Sequence, residues 1–282
     1  MADYVALLKP RIIPLLVLTE LGAMIVAAHG RPPAGVLLGS LVGGALSAGG
    51  AGAVNCWFDR DIDAVMPRTR RRPIPAGRIR PTAGLGFGVG VTLAGVLLID
   101  VSANLLAATL AALGALFYVF VYTMWLKRST TQNIVIGGAA GAFPPLVGWA
   151  AATGSLAPLA WALFAIVFFW TPPHFWALAL VLRRQYSAVS VPMLPVVAGP
   201  ERTRRAILAY TGVMLVVSMA PAWWLGPPYA VPAIVLGGGF LGFALRALRR
   251  EDGRSAMELF YYSLIYLGLL FVSAALAGST RF

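Results

Sequence analysis

The stretch LLGSLVGGALSAGGAGAV, residues 37–54, runs directly into NCWFDRDIDAVMPRTRRRPIPAGRI, residues 55–79. Its first half is apolar and built largely of glycine and alanine. Its second half carries three aspartates, Asp59, Asp61 and Asp63, and then a run of arginines. A bilayer's hydrocarbon core takes about 20 apolar residues of helix, and the first half supplies that length. Gly39 and Gly43, four residues apart, are spaced for close helix contact. A charged segment that begins where such a run stops marks a membrane surface.

Working outward, the same reading finds apolar runs at 12–29, 35–57, 83–100, 103–125, 133–152, 157–182, 207–226, 229–248 and 259–278. Gly, Pro and charged residues punctuate the turns between them, as in GRPPAG and LGPPYA. The expectation is an all-α integral membrane protein of nine transmembrane helices, with residues 1–282 forming one membrane-embedded domain. Composition agrees: 59% of residues are hydrophobic and 11% charged, where a soluble domain carries about 25% charged residues. No small-residue cleavage site follows the apolar start, so no removable signal peptide is expected.

The net charge of +12 raises the question of nucleic acid, and the placement of the basic residues answers it. If every span crosses, Lys9, Arg11, the arginines from Arg60 to Arg80, Lys127, Arg128, and those of 183–205 and 246–254 fall on one side. Arg31 and Arg281 fall on the other. That bias predicts a cytoplasmic N-terminus in the cell (inner or plasma) membrane and an active face toward the cytoplasm. The charge then reports topology, and no nucleic-acid partner is expected. One cysteine, Cys56, excludes an internal disulfide, and two histidines, His29 and His174, exclude a Cys/His zinc cluster.

Of ten acidic residues, three lie within five positions at the cytoplasmic end of the second span. If the helix continues by a turn or two, Asn55, Asp59 and Asp63 stand at i, i+4 and i+8 on one face, and Asp61 points elsewhere. Two carboxylates and an amide near lipid depth are costly to desolvate unless a cation joins them. Oxygen-only donors suit Mg²⁺, which is often held by one or two carboxylates plus substrate phosphates. The arginines beyond, Arg68, Arg70, Arg71 and Arg72, supply charge for a diphosphate and for its departure. The plainer reading is a solvated loop in which arginines pair with the aspartates.

These residues resemble the first aspartate-rich motif of the UbiA-type intramembrane prenyltransferases. LLKPRI, LKRSTTQNIVIGGAAGAFPPLVGWAA, FFWTPPHFWALAL and VPMLPVVAG also read like that family's segments, in its order, and the last two are similar to its heme-modifying branch. The resemblance implies a UbiA-type bundle in which Asn55, Asp59 and Asp63 hold Mg²⁺ and are the catalytic residues. It implies transfer of a farnesyl group from farnesyl diphosphate to a vinyl group of heme B, giving heme O. Lys9, Arg11, Arg68, Arg71, Arg72, Lys127, Arg128, Arg183 and Arg184 are the expected diphosphate contacts. His174, Trp170 and Glu20 are the expected heme contacts. Heme A synthase or a terminal oxidase in assembly is the expected partner beyond the lipid bilayer.

An allylic cation needs a dry, aromatic surround, for which Trp57, Phe58, Phe168, Phe169, Trp170, Phe175 and Trp176 are candidates. Each also fits lipid contact or ordinary packing. One departure stands out. Where the family carries acids on the loop after the sixth span, this chain reads RRQYSAVSVPMLP from Arg183, with Gln185 before Tyr186 and no carboxylate. Arginine there can grip diphosphate directly. His174 follows Pro172 and Pro173, whose missing N–H groups free helix carbonyls that a histidine can bond. Glu20, in mid-span, fits either a substrate contact or a structural hydrogen bond. The rival functions are a sister prenyltransferase acting on a quinone or chlorin precursor, an anion transporter, and a non-catalytic heme-binding assembly protein.

Overall fold

The structure, a computed structural model, describes residues 1–280. Arg281, counted above on the outer side, lies outside them. Every regular element among the described residues is helical. In chain order the principal helices are α1 Ile13–Ala27, α2 Ala34–Phe58, α3 Pro81–Ser102, α4 Leu105–Ser129, α5 Asn133–Thr153, α6 Pro158–Val181, α7 Gly199–Leu225, α8 Pro227–Arg250 and α9 Gly253–Thr280. Eight of these, α2 to α9, are long and apolar enough to cross a membrane.

The first expected span is shorter than the sequence suggests. Its apolar run covers 12–29, but the helix occupies only Ile13–Ala27, 15 residues, or about 22 Å against a core of about 30 Å. Pro14 stands in its first turn, and at the other end His29 and Gly30 both take positive φ, 49° and 85°, which breaks the helix.

Position compensates for length, because α1 is wedged among three neighbours. Ser40 of α2 donates a 2.7 Å hydrogen bond to Glu20. A Cβ on Gly148 of α5 would come within 2.1 Å of the Glu20 carbonyl oxygen, and one on Gly278 of α9 within 3.0 Å of the Val26 Cα. Thr19, Glu20, Ala23, Met24 and Val26 are accordingly buried.

The glycines of the opening stretch form a seam between α2 and α3. A Cβ on Gly43 would lie 2.7 Å from the Gly95 carbonyl oxygen, and one on Gly95 would lie 2.5 Å from that of Gly43. Gly50 and Gly88 repeat the arrangement at 2.6 and 2.9 Å. The two pairs are seven residues apart on each antiparallel helix, so backbone meets backbone over two turns. Such contact lets dispersion act between helices where lipid removes the hydrophobic drive. It also fixes the end of α2, where the aspartates begin.

Elsewhere buried polar tips find partners. Tyr266 donates to the Ser218 hydroxyl at 2.7 Å, and Tyr229 to the Ser218 carbonyl at 2.7 Å. The proline pairs Pro144–Pro145 and Pro172–Pro173 lie within α5 and α6, which continue through them.

A buried carboxylate cluster at the end of α2

The helix of α2 carries on with only a brief interruption. The amide of Asp59 donates to the Asn55 carbonyl at 2.9 Å and that of Asp63 to the Asp59 carbonyl at 2.8 Å, and a short helix follows at Arg60–Val65. Asn55, Asp59 and Asp63 are therefore on one side and buried, at 4%, 0% and 3% exposure. Asp61 is exposed. The Asn55 side-chain amide donates to Asp59 Oδ2 at 2.8 Å and to Thr123 Oγ1 at 3.0 Å.

Each buried oxygen group meets a cation. Lys9 donates to Asn55 Oδ1 and, at 3.2 Å, to the Tyr118 hydroxyl. Lys127 pairs with Asp59, and Arg128 reaches the same carboxylate at 3.4 Å. Arg72 closes on Asp63 at 2.7 Å. Lys9 holds a φ of 55°, a left-handed backbone that a non-glycine residue rarely adopts. That conformation accompanies the reach of its ammonium to Asn55. Arg128 also grips the exposed Asp61 with two bonds of 2.7 and 2.8 Å. Those bonds, chiefly, lower the Asp61 carboxyl to about 2.

The cations from α4 are set by an unusual turn. Residues Phe117–Leu126 form a π-helix, whose wider turn brings residues four and five apart to one face. Tyr118, Thr123 and Lys127 share that face, all directed at Lys9, Asn55 and Asp59. π-Helical segments are rare and often accompany function. Tyr118 and Thr123 were not singled out from sequence, although two hydroxyls in the run FYVFVYTMWL at this spacing from Lys127 were a visible signal.

The loop after α6 folds back over this cluster. Tyr186 is 4% exposed. Burial raises its hydroxyl above the ordinary value, while the nearby Arg68 and Arg72 guanidiniums act against that shift. Arg11, Arg68, Arg71, Arg183 and Arg184 are all exposed. None of these five makes an ion pair among the described residues. The structure thus brings Lys9, Arg72, Lys127 and Arg128 onto the buried oxygens, sets Arg68 against the Tyr186 hydroxyl, and gives Arg11, Arg71, Arg183 and Arg184 no ion pair with the cluster. The plainer reading of the loop, aspartates paired with basic side chains, is present in the same contacts.

Of the aromatic candidates, Trp57 lies under Arg60 and Phe58 under Arg128 at 5.4 and 4.8 Å. Phe168 stacks on Phe164, while Trp176 turns to Tyr210 of α7. Trp170 and His174 stack at 4.1 Å. The histidine meets Ser263 of α9 at 2.6 Å, not a proline-freed carbonyl. Glu20 stands apart from that pair, tied to Ser40 of α2 and packed against Gly44 and Gly148.

The oxygen donors suit a small hard cation. Among the described residues no three or more His, Cys, Asp or Glu side chains stand together as a metal site.

A helical membrane bundle with buried aspartates facing a basic loop defines a class, and the chain belongs to the UbiA prenyltransferase family, whose model matches residues 15–273. Solved structures share the fold over nearly the whole chain. A digeranylgeranylglyceryl phosphate synthase has a TM-score of 0.80 at 16% identity, covering 99% of this chain and 98% of that one. A UbiA homolog from Archaeoglobus fulgidus bound to DMAPP and Mg²⁺ has 0.74 at 14%, covering 99% and 100%.

Curated relatives are nearer in sequence. A protoheme IX farnesyltransferase of Symbiobacterium thermophilum is 52% identical over 279 residues, covering 97% of this chain and 93% of the relative. Another, of Granulibacter bethesdensis, is 49% identical over 288 residues, covering 97% and 90%. A third, of Roseiflexus sp., is 50% identical over 275 residues, and there the chain covers 97% of itself but spans about half, 52%, of the relative.

Proposed function

We propose that this chain transfers a farnesyl group from farnesyl diphosphate to a vinyl group of heme B (protoheme IX), giving heme O and diphosphate. The observation that carries the reading is the buried set Asn55, Asp59 and Asp63 with Lys9, Arg72, Lys127 and Arg128 against it. Half-identical relatives bearing the farnesyltransferase name supply the acceptor.

On this reading Asn55, Asp59 and Asp63 hold Mg²⁺ together with the diphosphate. Bound there, the ion neutralises charge that develops on the leaving group. Lys127, Arg128 and Arg72 turn from the carboxylates to phosphate oxygens, and Arg68, Arg71, Arg183 and Arg184 close over them. The C1–O bond of farnesyl diphosphate breaks with its electron pair leaving on the diphosphate. The vinyl carbon of heme B bonds to the allylic carbon, water adds to the cation left on the porphyrin side chain, and a proton is released. Arg183 and Arg184 take the place of an acidic second loop, with bidentate contacts to phosphate.

The nine-span topology includes α1 as a crossing helix, with the N-terminus and the aspartate cluster at the cytoplasmic face of the cell membrane. The basic residues support that orientation. Heme A synthase or a terminal oxidase in assembly is the proposed recipient of the product.

The test is product identification with purified protein, farnesyl diphosphate and Mg²⁺, offered either heme B or an aromatic carboxylic acid. A farnesylated, hydrated heme and no aromatic product is expected. Prenylation of the aromatic acid in preference to heme would give the sister activity the first place. Heme binding without any product would give it to the assembly protein.

A further inference from the structure

Ahead of α1 the chain forms one short helix, Ala2–Leu7, and three of its side chains are tied to the rest of the molecule. Leu7 is fully buried and packs with Ala53 and Cys56 of α2 and with Ile74 and Ile79 of the loop beyond the arginines. Tyr4 meets Phe87 of α3 edge-on, with ring centroids 4.8 Å apart. Asp3 accepts from Arg78 Nε at 2.9 Å, and the same guanidinium donates to the Arg71 carbonyl at 3.1 Å. The Asp3–Arg78 pair is half-exposed and by itself contributes little. Burial of Leu7 and the Tyr4 ring contact carry most of the fastening.

What the short helix delivers is Lys9. Glycines of α2 leave room for the chain at that point: a Cβ on Gly49 would stand 3.2 Å from the Leu8 Cβ, and one on Gly52 3.5 Å from the Lys9 Cδ. The Lys9 amide donates to the Ala6 carbonyl at 3.3 Å, and its carbonyl accepts from the Ile12 amide at 3.0 Å. Its left-handed backbone, φ 55°, therefore lies between two fixed ends, and such a conformation persists only where the surroundings impose it. The ammonium donates to Asn55 Oδ1 and to the Tyr118 hydroxyl. Asn55 Oδ1 is the oxygen proposed as a metal ligand. One amide oxygen cannot serve an ammonium and a divalent ion together without setting positive charges in near contact, and that repulsion is strong away from water. Lys9 and the metal ion are thus alternatives at Asn55.

We propose that the helix Ala2–Leu7 is a strap over the diphosphate site, in which Tyr4 and Leu7 are positioning residues that seat the Lys9 ammonium on Asn55 as a stand-in for the metal ion. Metal diphosphate displaces the ammonium, which turns from the amide oxygen to a phosphate oxygen while its backbone stays fastened. The strap therefore works against the bare divalent ion and in favour of the ion with its diphosphate, so metal without substrate is held weakly. The proposal rests on the reading of Asn55, Asp59 and Asp63 as a metal diphosphate site.

The experiment is a pair of titrations on the purified full-length protein: Mn²⁺ alone, followed by electron paramagnetic resonance, and farnesyl thiolodiphosphate with Mg²⁺, followed by calorimetry. Leu7→Ala unseats the strap without removing a charge. It is expected to bind Mn²⁺ more tightly than the native protein and the diphosphate analogue more weakly, each by about 10-fold. Tyr4→Leu, a milder loosening, is expected to shift both in the same directions by about 2–5-fold. Opposed shifts are not what a general loss of folding produces, since unfolding weakens both. Where Leu7→Ala fails to fold, Tyr4→Leu decides alone. Native affinities in the folded variants, or both affinities weakened together, would overturn the strap and leave the metal diphosphate site standing. A native protein that binds neither Mn²⁺ nor the analogue would overturn both.

Discussion

Asp59 is fully buried and touches two cations, Lys127 and Arg128. Removing one member of such a pair strands a charge in a poorly solvated place, which costs about 3–5 kcal/mol. Lys127→Met should therefore lower the thermal stability of the purified protein sharply. Adding Asp59→Asn should recover most of that loss without restoring activity, and a double variant as unstable as the single one would contradict the pairing. Asp61, exposed and held by Arg128, behaves differently. Its folded value is depressed to about 2, so its contribution is complete above the ordinary carboxylate range and is lost as pH falls through about 2. The difference in melting temperature between native protein and Asp61→Asn should be small, constant above about pH 5, and should shrink progressively below that, vanishing only as pH falls below about 2. The separation of Asn55, Asp59 and Asp63 from Asp61 was legible from helical spacing alone. Arginine pairing with an aspartate, as Arg72 does with Asp63, was legible from the adjoining run, but the Lys9 and Thr123 contacts were not, because they come from 46 and 68 residues away, and no local period encodes such meetings. Ser263, 89 residues from His174, was hidden for the same reason.

At the level of helices, hydropathy located all the long elements to within a few residues, with the largest departure at α7. That helix starts at Gly199, eight residues before the apolar run at 207, because charged Glu201 to Arg205 are helical outside the apolar stretch. At α1 the apolar run 12–29 overran the helix Ile13–Ala27 by three residues, since an apolar count takes no account of the proline and positive-φ residues at its ends. Nor could it anticipate the π-helical turn of α4, which depends on the partners its hydroxyls find. The small-residue spacing of α2 was a sound guide to close packing, but the reciprocal glycines of α3 emerged only from the structure. That seam yields an internally controlled prediction. Gly95→Ala places a methyl 2.5 Å from the Gly43 carbonyl and the Ser47 amide, and should destabilise by about 1–3 kcal/mol. Gly90→Ala, on the same helix with nothing within 4 Å, should be neutral or stabilise by up to about 1 kcal/mol. Equal melting temperatures for the two variants would refute the seam.

Across the whole molecule, one end gathers the aspartate cluster, the Arg68–Arg72 run, the Lys127–Arg128 pair and the loop at Tyr186, while α1 ties α2, α5 and α9 together behind it. Cys56 is the sole cysteine and is buried, so a Cys56→Ser background carrying one new cysteine reports sidedness cleanly. A cysteine at Arg250 should react with an impermeant thiol reagent only from the cytoplasmic side and one at Arg31 only from the outside; the reverse pattern would invert the topology. The central claim is that the buried carboxylates hold a Mg²⁺-bound diphosphate for transfer to heme. Its most direct test is mass analysis of the products formed from heme B and farnesyl diphosphate by the native protein, Asp59→Ala and Asp63→Ala, each with Mg²⁺ and with the metal chelated. A farnesylated heme is expected from the native protein with Mg²⁺ alone, falling by at least about 100-fold in either variant. Undiminished product from both variants, or from the native protein after chelation, would contradict the account.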